Sequence, residues 1–162
     1  MLVTVNTDAS FHPELKYGAY AFWAVCNEFK ITKSGVFKTK CMNPDDTEAK
    51  CIINALRVVL LAHNDITKVI VNTDSLNAIA LLENDTRHIR RYMGNNMKMW
   101  SHIKNAYKKV LTQTTNKPLI EFCHVKAHSG IADKRSYANE WADAEAKKAL
   151  RSIPAVINFN TK

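Results

Sequence analysis

TVNTDAS, residues 4–10, runs a β-branched stretch into a carboxylate, and VIVNTDS, residues 69–75, repeats the design. In the first, Val3, Val5 and Thr7 alternate with Thr4, Asn6 and Asp8, the period-2 pattern of a strand, and β-branched residues favour that state. In the second, Val69, Ile70 and Val71 lead through Asn72 and Thr73 into Asp74. Two strands ending NTD with a helical pattern between them predict parallel neighbours that deliver Asp8 and Asp74 to one edge of a sheet. Like charges brought together need a cation between them, so a divalent metal site is the first expectation.

The chain around this pair reads as a mixed sheet. Gly18 to Cys26 (GAYAFWAVC) is apolar nearly throughout, as a central strand is, and Gly35 to Lys40 is the expected third strand of a meander. Pro44, Asp45, Asp46 and Thr47 signal a turn and a helix start, and the dense apolar residues from Glu48 to His63 predict a largely buried helix. Ser75 is a predicted N-cap for a short helix through Leu82. Thr86 to Tyr107 mixes Arg and Lys with Tyr92, Trp100 and Tyr107, and Leu119 to Lys126 alternates as a fifth strand. Ser136 is the expected cap of a last helix, and Pro154 ends its pattern. The order β-β-β-α-β-α-α-β-α with right-handed crossovers places strands one, four and five in parallel, with helices on the faces of the sheet. The expected division is one domain over residues 1–152 and a C-terminal tail over 153–162.

At 162 residues, 46% of them hydrophobic, the chain has the length and composition of one globular domain. A basic leader followed by an apolar core is missing, and no apolar run approaches the ~18 residues of a membrane span, so an untargeted, cytoplasmic protein is expected. Cys26, Cys41, Cys51 and Cys123 are irregularly spaced with no C-x-x-C, which reads as free thiols in a reducing compartment. The net charge of +8, from 23 basic against 15 acidic residues, points to a polyanionic partner.

Two further acids sit where they could join the pair. Glu48 opens the helix before the second NTD strand, and Asp143 lies four residues after Asn139, on one face of the last helix. Asp143 also has Lys147 at i,i+4, the commoner partner of a surface acid. Four carboxylates suit two Mg²⁺ ions, which prefer oxygen ligands completed by water and phosphate. His128, in the HVKAHSG loop, has a side chain suited to proton transfer near neutrality.

TDAS at 7–10, TEAK at 47–50, NTDS at 72–75, VKAHSG at 125–130 and NEWAD at 139–143 together resemble the motifs of the type-one ribonuclease H family, in the family's order over nearly the whole chain. The resemblance implies the ribonuclease H-like α/β fold, a five-stranded mixed sheet of order 3-2-1-4-5 with helices on both faces. It implies endonucleolytic cleavage of the RNA strand of an RNA·DNA hybrid, dependent on two Mg²⁺ with Mn²⁺ as a substitute, by a monomer that engages no membrane. The family's metal-binding carboxylates fall on Asp8, Glu48, Asp74 and Asp143, and its mobile histidine on His128. Asn139 falls where relatives touch substrate, with acidic Glu140 beside the site, and Ser10 joins the expected substrate contacts. Arg87 to Trp100 lies where some relatives carry a basic protrusion that grips the DNA strand, which assigns Arg90, Arg91 and Trp100 to the substrate.

The chain departs from the family in two places. Ala9 follows the first aspartate, and the next loop is Phe11-His12-Pro13-Glu14-Leu15-Lys16 where cellular members carry glycines and an asparagine. Asp45, Asp46 and Thr47 stand where an asparagine or arginine often precedes the glutamate. Trp23, Trp100 and Trp141 also read as packing residues, and His12, His63, His88, His102 and His124 as ordinary histidines. Two other functions stay open: a nucleic-acid-binding module without catalysis, and a DNA-directed nuclease on the same architecture.

Overall fold

Alternation in β1 (Leu2–Phe11) buries Val3 and Val5 completely, and the register sets them beside Ala24, Val69 and Val71, which are equally buried. The computed structural model describes residues 1–92, 97–126 and 134–162, and not the side chains at 97–99, 134 and 135. β2 (Gly18–Val25) and β3 (Lys30–Val36) run antiparallel on one side of β1, while β4 (Lys68–Thr73) and β5 (Leu119–His124) run parallel to it on the other. The sheet order is β3-β2-β1-β4-β5.

The expected third strand at 35–40 is displaced: β3 covers Lys30–Val36. An edge strand is half solvated and protected by charge, so its KITKSGV sequence lacks the apolar run that marks an interior strand. The asparagines of the two NTD motifs pair across β1 and β4, with Asn72 Nδ2 donating to Asn6 Oδ1 at 3.1 Å in a buried setting. That bond pins the register where a one-residue slip would reverse every side chain.

One face of the sheet carries the main core. α1 (Pro44–Ala62), α2 (Leu76–Glu83), α3 (Thr86–Tyr92) and α4 (Met97–Thr112) contribute Ile52, Leu56, Leu81, Ile89 and Ile103 to one buried cluster with the strands. Trp100 belongs to it at 1% exposure, which corrects its assignment to the substrate. An indole in the core offers no face to a base, and its N–H finds no acceptor among the described residues. α5 (Lys134–Arg151) covers the other face, where Ala142 and Ala146 meet Ala21, and Trp141 and Tyr137 meet Trp23 edge-on.

α5 begins at Lys134, so Ser136 lies in its first turn instead of capping it; Lys and Arg are good helix formers that carry the helix back past the serine. Pro154 ends that pattern by starting another: α6 (Pro154–Asn160) buries Val156 and sets Phe159 edge-on against His12 at 4.8 Å. All four cysteines are free thiols, Cys41 and Cys51 buried. Among the described residues no helix is long and apolar enough to cross a membrane.

Two caps place the site's helices. Asn43 accepts the Asp46 N–H at 2.8 Å ahead of Pro44, the favoured first helical residue. Gly18 lets that end of α1 lie against β2, since a Cβ there would fall 2.5 Å from Cys41 Sγ and 2.9 Å from Thr47 Cγ2. Ser75 caps α2 as expected, its hydroxyl accepting the Ala78 N–H at 3.1 Å.

Candidate active site

Strand β1, the end of β4 and the first turn of α1 bring Asp8, Asp74 and Glu48 together, with one carboxylate oxygen from each inside a span of 4.8 Å. The Ala9 N–H holds two of them, donating to Asp8 Oδ1 at 2.8 Å and to Glu48 Oε1 at 3.2 Å. Beneath them Cys51 Sγ donates to the carbonyls of Asp8, at 3.2 Å, and Ala21, at 3.5 Å, which ties α1 to both strands. The imidazole of His124 donates to the Asp74 carbonyl at 3.2 Å, where the chain leaves β4.

The electrostatics of this cluster are those of a site short of positive charge. Burial, then the charges of Asp74 and Asp143, push the Asp8 carboxyl up to about 7. Burial and the charges of Asp8 and Asp74 push Glu48 well above the usual carboxylate range. Burial, then the charges of Glu48 and Asp8, raises the Cys51 thiol too and keeps it neutral. Glu48 Oε2 is buried with no partner among the described residues. Clustered hard oxygens, mutual repulsion and an orphaned buried oxygen are the chemistry that a divalent cation satisfies.

Asp143 stands outside the tight trio, though close enough for its charge to act on Asp8. Its carboxylate is held by Lys147 Nζ at 2.7 Å, the i,i+4 pair legible in the sequence. One turn earlier Asn139 is 8% exposed, and its Oδ1 is buried without a partner among the described residues. Glu140 beside it is exposed, and Ser10 is half-buried on β1. Arg90 and Arg91 are exposed on α3. That helix is tied to the site by a chain in which His88 Nε2 donates to Asn77 Oδ1 at 2.7 Å and Asn77 Nδ2 donates to Asp45 Oδ1 at 3.1 Å. His128 lies outside the described residues.

Sequence reasoning missed Ala9 as the amide that orders two carboxylates, because a backbone donor has no side-chain signature. It also passed over Asp46, which is fully buried two residues before Glu48. Its carboxylate accepts from the Met42 N–H at 2.8 Å, Lys50 Nζ at 3.1 Å and His102 Nε2 at 3.0 Å. The signal was available: Lys50 stands at i,i+4 from it.

The RNase H family profile matches residues 2–151. No curated protein is similar enough to match the chain. Among solved structures, the RNase H1 of the halophilic archaeon Halobacterium salinarum NRC-1 is similar with TM-score 0.62 at 17% identity, over 94% of this chain and 100% of that one. The N-terminal RNase H domain of rv2228c from Mycobacterium tuberculosis, fused to maltose-binding protein, has TM-score 0.63 at 13% identity, over 93% and 97%. LC11-RNase H1, in complex with an RNA/DNA hybrid, has TM-score 0.59 at 13% identity, over 91% and 99%. At such identities the structures establish the fold, and the profile over residues 2–151 establishes the rest: this chain belongs to the RNase H family.

Proposed function

We propose that the chain is an endoribonuclease that hydrolyses the RNA strand of RNA·DNA hybrids with divalent cations held by Asp8, Glu48, Asp74 and Asp143. Mg²⁺ is the expected ion and Mn²⁺ its substitute. The observation that carries the reading is the convergence of Asp8, Glu48 and Asp74, with burial and mutual repulsion pushing Asp8 up to about 7. Family membership supports it, as does the RNA/DNA hybrid bound by LC11-RNase H1.

When bound, a pair of such cations supplies Lewis-acid chemistry, easing deprotonation of water and offsetting charge that develops on the phosphate. The protein's residues do the rest. Asp8 and Glu48 would hold the cations in their charged forms, and the Ala9 N–H keeps both carboxylates aimed. Lys147 holds Asp143 at the margin and gives way when that carboxylate is needed. Asn139 meets the substrate beside Glu140 and Ser10, Arg90 and Arg91 hold the DNA strand, and His128 moves a proton late in the reaction. Selection for RNA comes from 2′-hydroxyls displayed in the wide minor groove, and the products are 5′-phosphate and 3′-hydroxyl ends. The net charge of +8 makes binding fall steeply with salt. The enzyme acts as a monomer in the cytoplasm, in keeping with its free thiols.

The test is a panel of end-labelled hybrid, duplex RNA and duplex DNA, each incubated with Mg²⁺ or with EDTA. Cleavage of the RNA strand of the hybrid alone, abolished by EDTA, is expected. Tight hybrid binding without cleavage would convert the reading to a binding module, and cutting of duplex DNA at an equal rate would convert it to a DNA nuclease.

A further inference from the structure

The carbonyl of Asp8 and the N–H of Ala9 belong to one planar peptide unit, so neither can turn without the other. Residues of α1 hold both ends of it. Glu48 Oε1 accepts the Ala9 N–H at 3.2 Å, and three residues further along the helix Cys51 Sγ donates to the Asp8 carbonyl at 3.2 Å. The same N–H donates to Asp8 Oδ1 at 2.8 Å, so one peptide orders two of the three clustered carboxylates. Cys51 also reaches the carbonyl of Ala21 at 3.5 Å, and Ala21 is the register partner of Asp8 on β2. The thiol is fully buried, about 4.5 Å along the helix axis from Glu48.

An apolar side chain of similar size would fill this position without specifying how the peptide turns. A thiol adds a direction, because its S–H is a donor, and burial beside two carboxylates keeps the proton on it. As a weakly polar group it also loses little on burial. We propose that Cys51 is a positioning residue of the carboxylate site: by holding the Asp8 carbonyl it sets the plane of the Asp8–Ala9 peptide, and with it the aim of the amide that presents Asp8 and Glu48 to a divalent cation. Cys51 acts through the peptide and not as a ligand. Its effect therefore falls on cation affinity, while the affinity for hybrid is independent of it. The proposal rests on the metal-binding reading of the site and adds the residue that orients it in advance.

The experiment compares the full chain as wild type, Cys51→Ala and Cys51→Ser, each first shown to fold by circular dichroism. Two readouts are taken on metal-free protein: hydrogen exchange of the Ala9 amide by NMR, and Mn²⁺ binding by isothermal titration calorimetry. KM for hybrid in saturating Mg²⁺ is measured beside them. Cys51→Ala is expected to speed exchange of the Ala9 amide and to weaken Mn²⁺ binding, each by roughly threefold to tenfold, with KM for hybrid changed by less than about twofold. Cys51→Ser, which keeps a donor toward the Asp8 carbonyl, should fall between wild type and Cys51→Ala in both readouts. If Cys51→Ala does not fold, Cys51→Val, which fills the space without a donor, takes its place. Wild-type exchange and Mn²⁺ affinity in Cys51→Ala, a loss confined to KM, or a Cys51→Ser variant as weak as Cys51→Ala overturns the role of Cys51 alone. A wild-type chain that takes up no Mn²⁺ overturns the metal-binding reading with it.

Discussion

Replacing Asp8 with Asn should make the metal-free protein more stable at neutral pH while destroying its activity. Asp8 is 5% exposed, and burial with the charges of Asp74 and Asp143 raises its carboxyl from 3.8 to about 7. A raised carboxyl means that folding favours the proton. The resulting stability is complete below the unfolded value near ~3.9 and is lost as pH rises through about 7. A shift of about 3 units at about 1.4 kcal/mol each sets an upper limit of about 4 kcal/mol. Because Asp8 and Glu48 share the strain, half of that, about 2 kcal/mol, is the expected gain, or a rise of roughly 4–8 °C in Tm for a chain of this size. Asn keeps an oxygen for the Ala9 N–H, so the substitution removes charge with little loss of hydrogen bonding. The assay is thermal unfolding followed by circular dichroism in EDTA at pH 4 and pH 8. The variant should be the more stable at pH 8 and equal to wild type at pH 4, and millimolar Mg²⁺ at pH 8 should stabilise wild type more than the variant. A variant less stable than wild type at pH 8, or a difference that ignores pH, would refute the reasoning.

Other perturbations test the parts. Trp100→Ala should cost about 3–5 kcal/mol by emptying a core position, whereas Trp100→Phe, which also removes an unpartnered indole N–H, should cost under about 2 kcal/mol and leave KM for hybrid unchanged by steady-state kinetics. Lys147→Met should release Asp143 and lower the Mg²⁺ concentration for half-maximal cleavage by roughly twofold to threefold, read in a metal titration. The same titration repeated from pH 6 to pH 8 should show Mg²⁺ binding more tightly as pH rises through about 7, because Asp8 must lose its proton to hold the ion.

The NTD strands were legible because both steps of the signal are local: β-branched alternation makes the strand, and the acid that ends it needs no partner to be noticed. The Asn6–Asn72 bond that aligns them was not, since the same asparagines read equally well as turn residues. Glu48 could be located from the cap signals of α1, which are contiguous in sequence. β3 was misplaced because a charged edge strand carries little apolar pattern, and Trp100 was misassigned because a tryptophan in a basic stretch looks alike whether it faces solvent or the core. Asp46 shows the general limit. Its three partners lie on a loop, its own helix and α4, and only the fold reveals that an acid in a first turn is buried.

Direct counting of bound cations tests the central claim most closely. Mn²⁺ binding, followed by electron paramagnetic resonance with a hybrid whose scissile phosphate cannot be cut, should show two ions per chain, both displaced by excess Mg²⁺ and at least one lost in Asp8→Asn. A wild-type chain that takes up no Mn²⁺ under those conditions, or an Asp8→Asn variant that binds as many ions as wild type, would contradict the account.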